Sequence, residues 1–132
     1  MRELQSLFAR LVARLILQAA EFGYEVTFGE AYRSPEEAAR LAKTGAGIAQ
    51  SLHTKRLAID LNLFRDGRYL GASVDYAKLG EWWEKQHALC RWGGRFRRAD
   101  GNHFSLEFGG RREIGEVILE DGCGSEGVGD VE

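Results

Sequence analysis

Residues 57–64 constrain the fold more than any other stretch of the chain. Apolar Leu57, Ile59, Leu61 and Leu63 alternate with Ala58, Asp60 and Asn62, the period of a strand whose two faces differ. The leucine face has to be covered by other apolar groups. The opposite face holds a carboxylate in mid-strand beside the small Ala58, and burying it there without a partner is costly. The pattern recurs near residue 105, with Phe104, Leu106 and Phe108 on one face and His103, Ser105 and Glu107 on the other. If the two strands are neighbours, Asp60 and His103 meet on one polar face.

The rest of the chain supplies the cover. Leu4, Leu7, Phe8, Leu11 and Leu15 have helical spacing, and Phe22-Gly23 ends that helix. Residues 24–28 alternate as a short strand. Ser34-Pro35 starts a second helix, with Ser as N-cap and Pro at the first helical position, running to about Lys43. Asp66-Gly67 turns the chain into Arg68-Tyr69-Leu70. Asp75 to His87 reads as a helix, Trp92-Gly93-Gly94 as a turn, and Asp100-Gly101-Asn102 as a second turn before the last strand. This order predicts an α+β fold, a small and mainly antiparallel sheet with flanking helices.

The length of 132 residues allows one domain, which can bury a core without disulfide staples. Cys90 and Cys123 are too few for a cysteine scaffold. Residues 1–112 hold all 18 basic side chains against 13 acids, whereas residues 113–132 hold seven acids and no base. The domain is therefore assigned to 1–112. The acidic, glycine-rich segment 113–132 is expected to be mobile from about Asp121. Arg10 and Arg14 interrupt the N-terminal apolar run, so it fits neither a secretory leader nor a membrane span. Synthesis in the cytoplasm is expected, with no stable membrane insertion.

The chemistry collects around Asp60. His53 lies in the segment feeding that strand, and Asp100 stands three residues before His103 across a turn, near enough to share a cavity. Two His and one Asp converging with a position left open is the ligand count of a catalytic zinc site. The bland alternative is a carboxylate on a solvated sheet face, and chance trios of His and Asp are common.

The segment Ser51-Leu52-His53-Thr54-Lys55-Arg56-Leu57-Ala58-Ile59-Asp60 resembles the S-x-H-x-x-x-x-A-x-D signature of the zinc D-Ala-D-Ala carboxypeptidase and L-alanyl-D-glutamate endopeptidase family, the VanY-like peptidases of bacterial cell-wall peptides. Trp92-Gly93-Gly94 and Asp100-Gly101-Asn102-His103-Phe104 resemble its W-G-G…D-x-x-H-F segment, and Tyr32-Arg33-Ser34 its Y-R-S segment. Order, spacing and length are most similar to the small single-domain phage endolysin branch. The resemblance implies a Hedgehog/D-Ala-D-Ala-peptidase-like fold, with zinc held by His53, Asp60 and His103. It makes Asp100 the general base, and Arg33 a group that binds a substrate carboxylate or stabilises developing negative charge. Ser51 then lines the site or orients ligands. The implied substrate is the peptidoglycan stem peptide, cut at the L-Ala–D-Glu bond by a phage or prophage lysis enzyme. Such a monomeric enzyme reaches the periplasmic cell wall after release through a holin-type pore. Arg56 stands where many relatives carry Gly, and Arg95 where many carry Asp. Both differences bear on substrate fit rather than on the ligands.

Other readings compete. A D-Ala-D-Ala carboxypeptidase of the same family is the enzymatic alternative, and a non-catalytic peptidoglycan-binding or phage structural module is the alternative of another class. Arg91, Arg95, Arg97 and Arg98, interleaved with Trp92 and Phe96, make a basic cluster. With a sequence pI near 6.0 and no accompanying RNA-binding signature, no nucleic-acid partner is expected. Cys90 lacks a paired base and reads as a packed thiol. His87 reads as a helix-end residue, and one of Trp82 and Trp83 as core.

Overall fold

A computed structural model describes residues 1–47 and 51–109; the expectations for segment 113–132 lie outside the described residues. The first helix, α1 (Arg2–Glu21), stops where the sequence breaks, with Phe22 as C-cap and Gly23 at φ +90°. The strand β1 (Glu25–Phe28) follows, then α2 (Pro35–Thr44). The Ser34 side chain accepts the Glu37 N–H at the start of α2, and left-handed Gly45 closes its end. Next come a 3-10 helix at Leu52–Lys55, β2 (Ala58–Arg65) and β3 (Arg68–Leu70). The β2–β3 hairpin turns through Asp66 and Gly67, both at positive φ.

After the hairpin the structure departs from the helix expected over 75–87. Ser73–Tyr76 is a 3-10 helix, and α3 covers only Ala77–Glu84. The chain then re-enters the sheet as β4 (Cys90–Trp92), a strand that the neighbouring glycine pair disguised as part of a turn. The last described strand is β5 (His103–Leu106).

The fold is α+β, with an antiparallel sheet in the order β1-β2-β5-β4 and β3 also paired to β2. Ile59 faces Phe104 in the register, and Phe104 in turn faces Trp92, so large apolar groups share one side of the sheet. Phe8, Leu11, Val12, Leu15 and Ala19 of α1 join this core, together with Tyr76, Leu79 and Trp83. Trp83 is fully buried, meets Phe8 and Phe104 edge-on, and donates its Nε1–H to the Arg91 carbonyl at 2.9 Å. Trp82 is the partly buried member of the pair.

The same register settles the polar side. Asp60 and His103 are direct cross-strand partners. The apolar alternation that builds the core therefore also delivers two candidate ligands to one point.

Candidate metal centre

Three segments converge on Asp60. It lies in β2, His103 opens β5 directly opposite, and His53 stands in the 3-10 helix that precedes β2. Ser51 caps that 3-10 helix: its Oγ accepts the His53 N–H at 3.1 Å, and its carbonyl accepts the Thr54 N–H. Ser51 is buried and acts on the backbone of a candidate ligand.

The Asp60 Oδ1 lies 3.4 Å from His53 Nε2 and 3.3 Å from His103 Nδ1. It is buried and has no hydrogen-bond partner among the described residues, and His53 Nδ1 is in the same state. Ligand atoms of the trio lie within 4.8 Å of one another. Tetrahedral zinc with bonds of about 2.0–2.1 Å sets its ligand atoms roughly 3.4 Å apart. The observed spacings therefore fit a shared cation better than hydrogen bonds between the side chains. Imidazole and carboxylate are also donors that suit zinc. Burial alone would raise the Asp60 pKa, but the adjoining His103 and His53 imidazoles outweigh it and hold the carboxyl below the ordinary carboxylate range. The ionised form is the one a metal needs.

The turn that carries Asp100 into His103 is braced from four sides. Asp100 N–H donates to Gly93 O at 2.9 Å, Gly101 N–H to Ser73 Oγ at 2.9 Å, and Leu61 N–H to Asn102 O at 2.9 Å. The Trp92 indole N–H donates to Gly101 O at 2.7 Å. The His103 N–H closes the turn on Asp100 O at 3.1 Å. This explains the W-G-G segment physically. A Cβ at Gly93 would stand 2.8 Å from His103 Cβ, and one at Gly94 or Gly80 would enter the Trp92 ring. Asp100 lines a polar cleft of about 250 Å³ with Tyr69, Ser73, Tyr76 and Asn102, a cleft that none of His53, Asp60 and His103 lines, so it is not the cavity expected to be shared with His103. The Phe96 ring packs on His103, with centroids 5.4 Å apart.

Arg33 is brought to the site by its backbone, whose N–H donates to His53 O at 3.2 Å. Its guanidinium is engaged by the Glu30 carboxylate through Nε and Nη2. Glu30, Ser73 and Phe96 are the neighbours that sequence reasoning missed.

The basic cluster is partly neutralised. Arg91 pairs with buried Glu107, and Arg95 pairs with Glu84 and stacks over Trp92. The Cys90 thiol is buried, and that burial pushes its pKa up to about 12, so it is a poor nucleophile. His87 Nδ1 accepts the Leu89 N–H after α3, a local structural contact. No described helix is long and apolar enough to cross a membrane.

Residues 44–106 match a family model described as D-alanyl-D-alanine carboxypeptidase. That segment contains all three candidate ligands and Asp100, and excludes Arg33. Among solved structures the chain is similar to the Serratia marcescens L-Ala D-Glu endopeptidase ChiX, at 23% identity and a TM-score of 0.63, over 76% of this chain and 80% of that one. The likeness establishes a shared fold. No curated protein sequence matches the chain significantly.

Proposed function

We propose, from the match of residues 44–106 to a family model described as D-alanyl-D-alanine carboxypeptidase, that this chain is a zinc-dependent peptidase of the peptidoglycan stem peptide. The observation that carries this reading is the buried Asp60 Oδ1, set between His53 Nε2 and His103 Nδ1 without a hydrogen bond. Three protein ligands leave a coordination position for water or substrate, as catalytic rather than structural zinc sites do.

His53, Asp60 and His103 hold the zinc. When bound, zinc polarises the scissile carbonyl and makes a coordinated water acidic near neutral pH. Asp100 is the general base: its carboxylate takes a proton from the attacking water and returns it to the leaving amine. The braced turn suits that task, because it ties the base-bearing residue to ligand His103 through one backbone hydrogen bond. Arg33 binds a substrate carboxylate or stabilises the oxyanion, and Ser51 orients His53 and lines the site.

The bond assigned is L-Ala–D-Glu. Its support is the likeness in fold to a protein described as an L-Ala D-Glu endopeptidase, together with the resemblance of the motifs to the small endolysin branch. The family description favours a second reading, removal of a terminal D-Ala. In the endolysin reading the enzyme is a monomer, made in the cytoplasm of a bacterial host, that meets the periplasmic wall through a phage-encoded pore.

Muropeptide mass spectrometry of digested Gram-negative peptidoglycan separates these readings. Stem peptides released with D-Glu at their N-terminus are the expected product. Loss of terminal D-Ala alone would move the assignment to the carboxypeptidase. No cleavage by zinc-loaded protein would leave a binding module. The Asp100→Asn variant is expected to bind zinc but to hydrolyse at least about 100-fold more slowly, and full activity would overturn the base assignment.

A further inference from the structure

The loop between β1 and α2 touches two of the three candidate ligands through its backbone. Gly29 N–H donates to Asp60 O at 2.7 Å, and Asp60 N–H donates to Glu30 O at 2.9 Å. The approach is close enough that a Cβ at Gly29 would stand 3.0 Å from Asp60 Cβ. Three residues after Glu30, Arg33 N–H donates to His53 O at 3.2 Å. One stretch of backbone thus fixes both the strand that carries Asp60 and the 3-10 helix that carries His53.

The side chains of the same stretch close on each other. Arg33 Nε lies 3.0 and 3.1 Å from the two Glu30 oxygens, and Nη2 adds a further hydrogen bond to Oε1. The fork geometry makes this a strong, directional pair. The Arg33 side chain is only 13% exposed, so the pair is a largely shielded brace across the loop, and removing the carboxylate would loosen it. Residues 29–33 lie outside the segment matched by the family model.

We infer that Glu30 is a positioning residue of the metal centre. By locking Arg33 across the loop, it holds the backbone contacts that set Asp60 and His53 in register with His103. It touches neither metal nor substrate. The inference rests on the metallopeptidase reading and extends it to a residue outside the ligand set. Partners beyond the ligands commonly change metal affinity or activity by about 10–100-fold when replaced.

The test is zinc affinity by competition with a chelating dye, with kcat and KM on peptidoglycan fragments and the Tm of each metal-free protein. Glu30→Gln is expected to bind zinc about tenfold more weakly than the unaltered chain, with the loss of activity in kcat rather than KM. Glu30→Asp keeps the charge at shorter reach, so about a threefold loss is expected, a partial rescue. Gly67→Ala, a strained hairpin substitution away from the loop, controls for general destabilisation; it is expected to lower Tm and leave zinc affinity unchanged. Zinc affinity in Glu30→Gln equal to that of the unaltered chain would overturn the inference, as would a lower KM with kcat intact, which would make Glu30 a competitor for the Arg33 fork. Should Glu30→Gln not fold, unchanged affinity in Glu30→Asp would overturn it equally. An unaltered chain that binds no zinc would instead overturn the metallopeptidase reading on which the inference stands.

Discussion

Replacing Gly93 by Ala should damage the site more than the fold. The added Cβ would stand 2.8 Å from His103 Cβ and press still harder on the Asp100 carbonyl. Non-bonded carbons prefer about 3.5–4.0 Å, so the turn from Asp100 to His103 must retreat by roughly 1 Å. It cannot do so freely, because Ser73, Trp92 and Leu61 each hold it by a hydrogen bond. Overpacking of this kind costs about 1–3 kcal/mol. For a domain of this size that is a Tm loss of about 4–12 °C. A displacement of about 1 Å in a catalytic group costs on the order of 100-fold in rate, well beyond what the lost stability explains at 25 °C. Calorimetry, zinc titration and hydrolysis rates measure the three effects on one sample. The Gly67→Ala protein provides the comparison, since nothing lies within 4 Å of its added Cβ. A Gly93→Ala protein with lowered Tm but full zinc affinity and activity would refute the claim that this turn sets the site.

Three further outcomes follow from other parts of the molecule. Zinc at 100 times its Kd should stabilise the protein by about 2.7 kcal/mol, read as a Tm increase that a chelator reverses and Asp60→Ala abolishes. The Cys90 thiol pKa is raised from its ordinary value near 9 to about 12, so above pH 9 the unfolded chain loses a proton that the folded chain keeps. Stability should therefore fall between about pH 9 and pH 12, with a contribution of up to about 1.4 kcal/mol per pH unit. That slope should be absent in Cys90→Ala when the two unfolding curves are compared across this range. Glu107→Gln leaves the partly buried Arg91 without its counter-charge and should cost about 3 kcal/mol, measured by denaturant unfolding, with the zinc affinity retained.

The alternation at residues 57–64 and 103–108 made the two central strands legible, and with them the face shared by Asp60 and His103. Their direct pairing is a fact of register, which neither strand contains alone. Local chemistry was equally readable in the Ser34 cap and in the left-handed turn pair Asp66-Gly67. What stayed hidden depends on contacts between distant segments. Trp92 read as a turn residue because two glycines follow it, yet those glycines make room beside its ring while β4 pairs with β5. Gly80 lies inside α3, and its missing Cβ is the space the same ring occupies. Glu30 carried no signal, because a glutamate three residues before an arginine is commonplace outside a helix. Its meaning appears only when the loop is laid along β2. Ser73 reaches the Asp100 turn across 28 residues of chain, and no local pattern announces that.

The ligation of the metal is tested most directly by the X-ray absorption spectrum of the zinc-loaded protein, with metal content measured on the same sample. One zinc per chain is expected, bound by nitrogen and oxygen at about 2.0–2.2 Å with no sulfur near 2.3 Å, and lost in Asp60→Ala. Sulfur ligation, or zinc retained in full by Asp60→Ala, would contradict the claim that His53, Asp60 and His103 hold the metal.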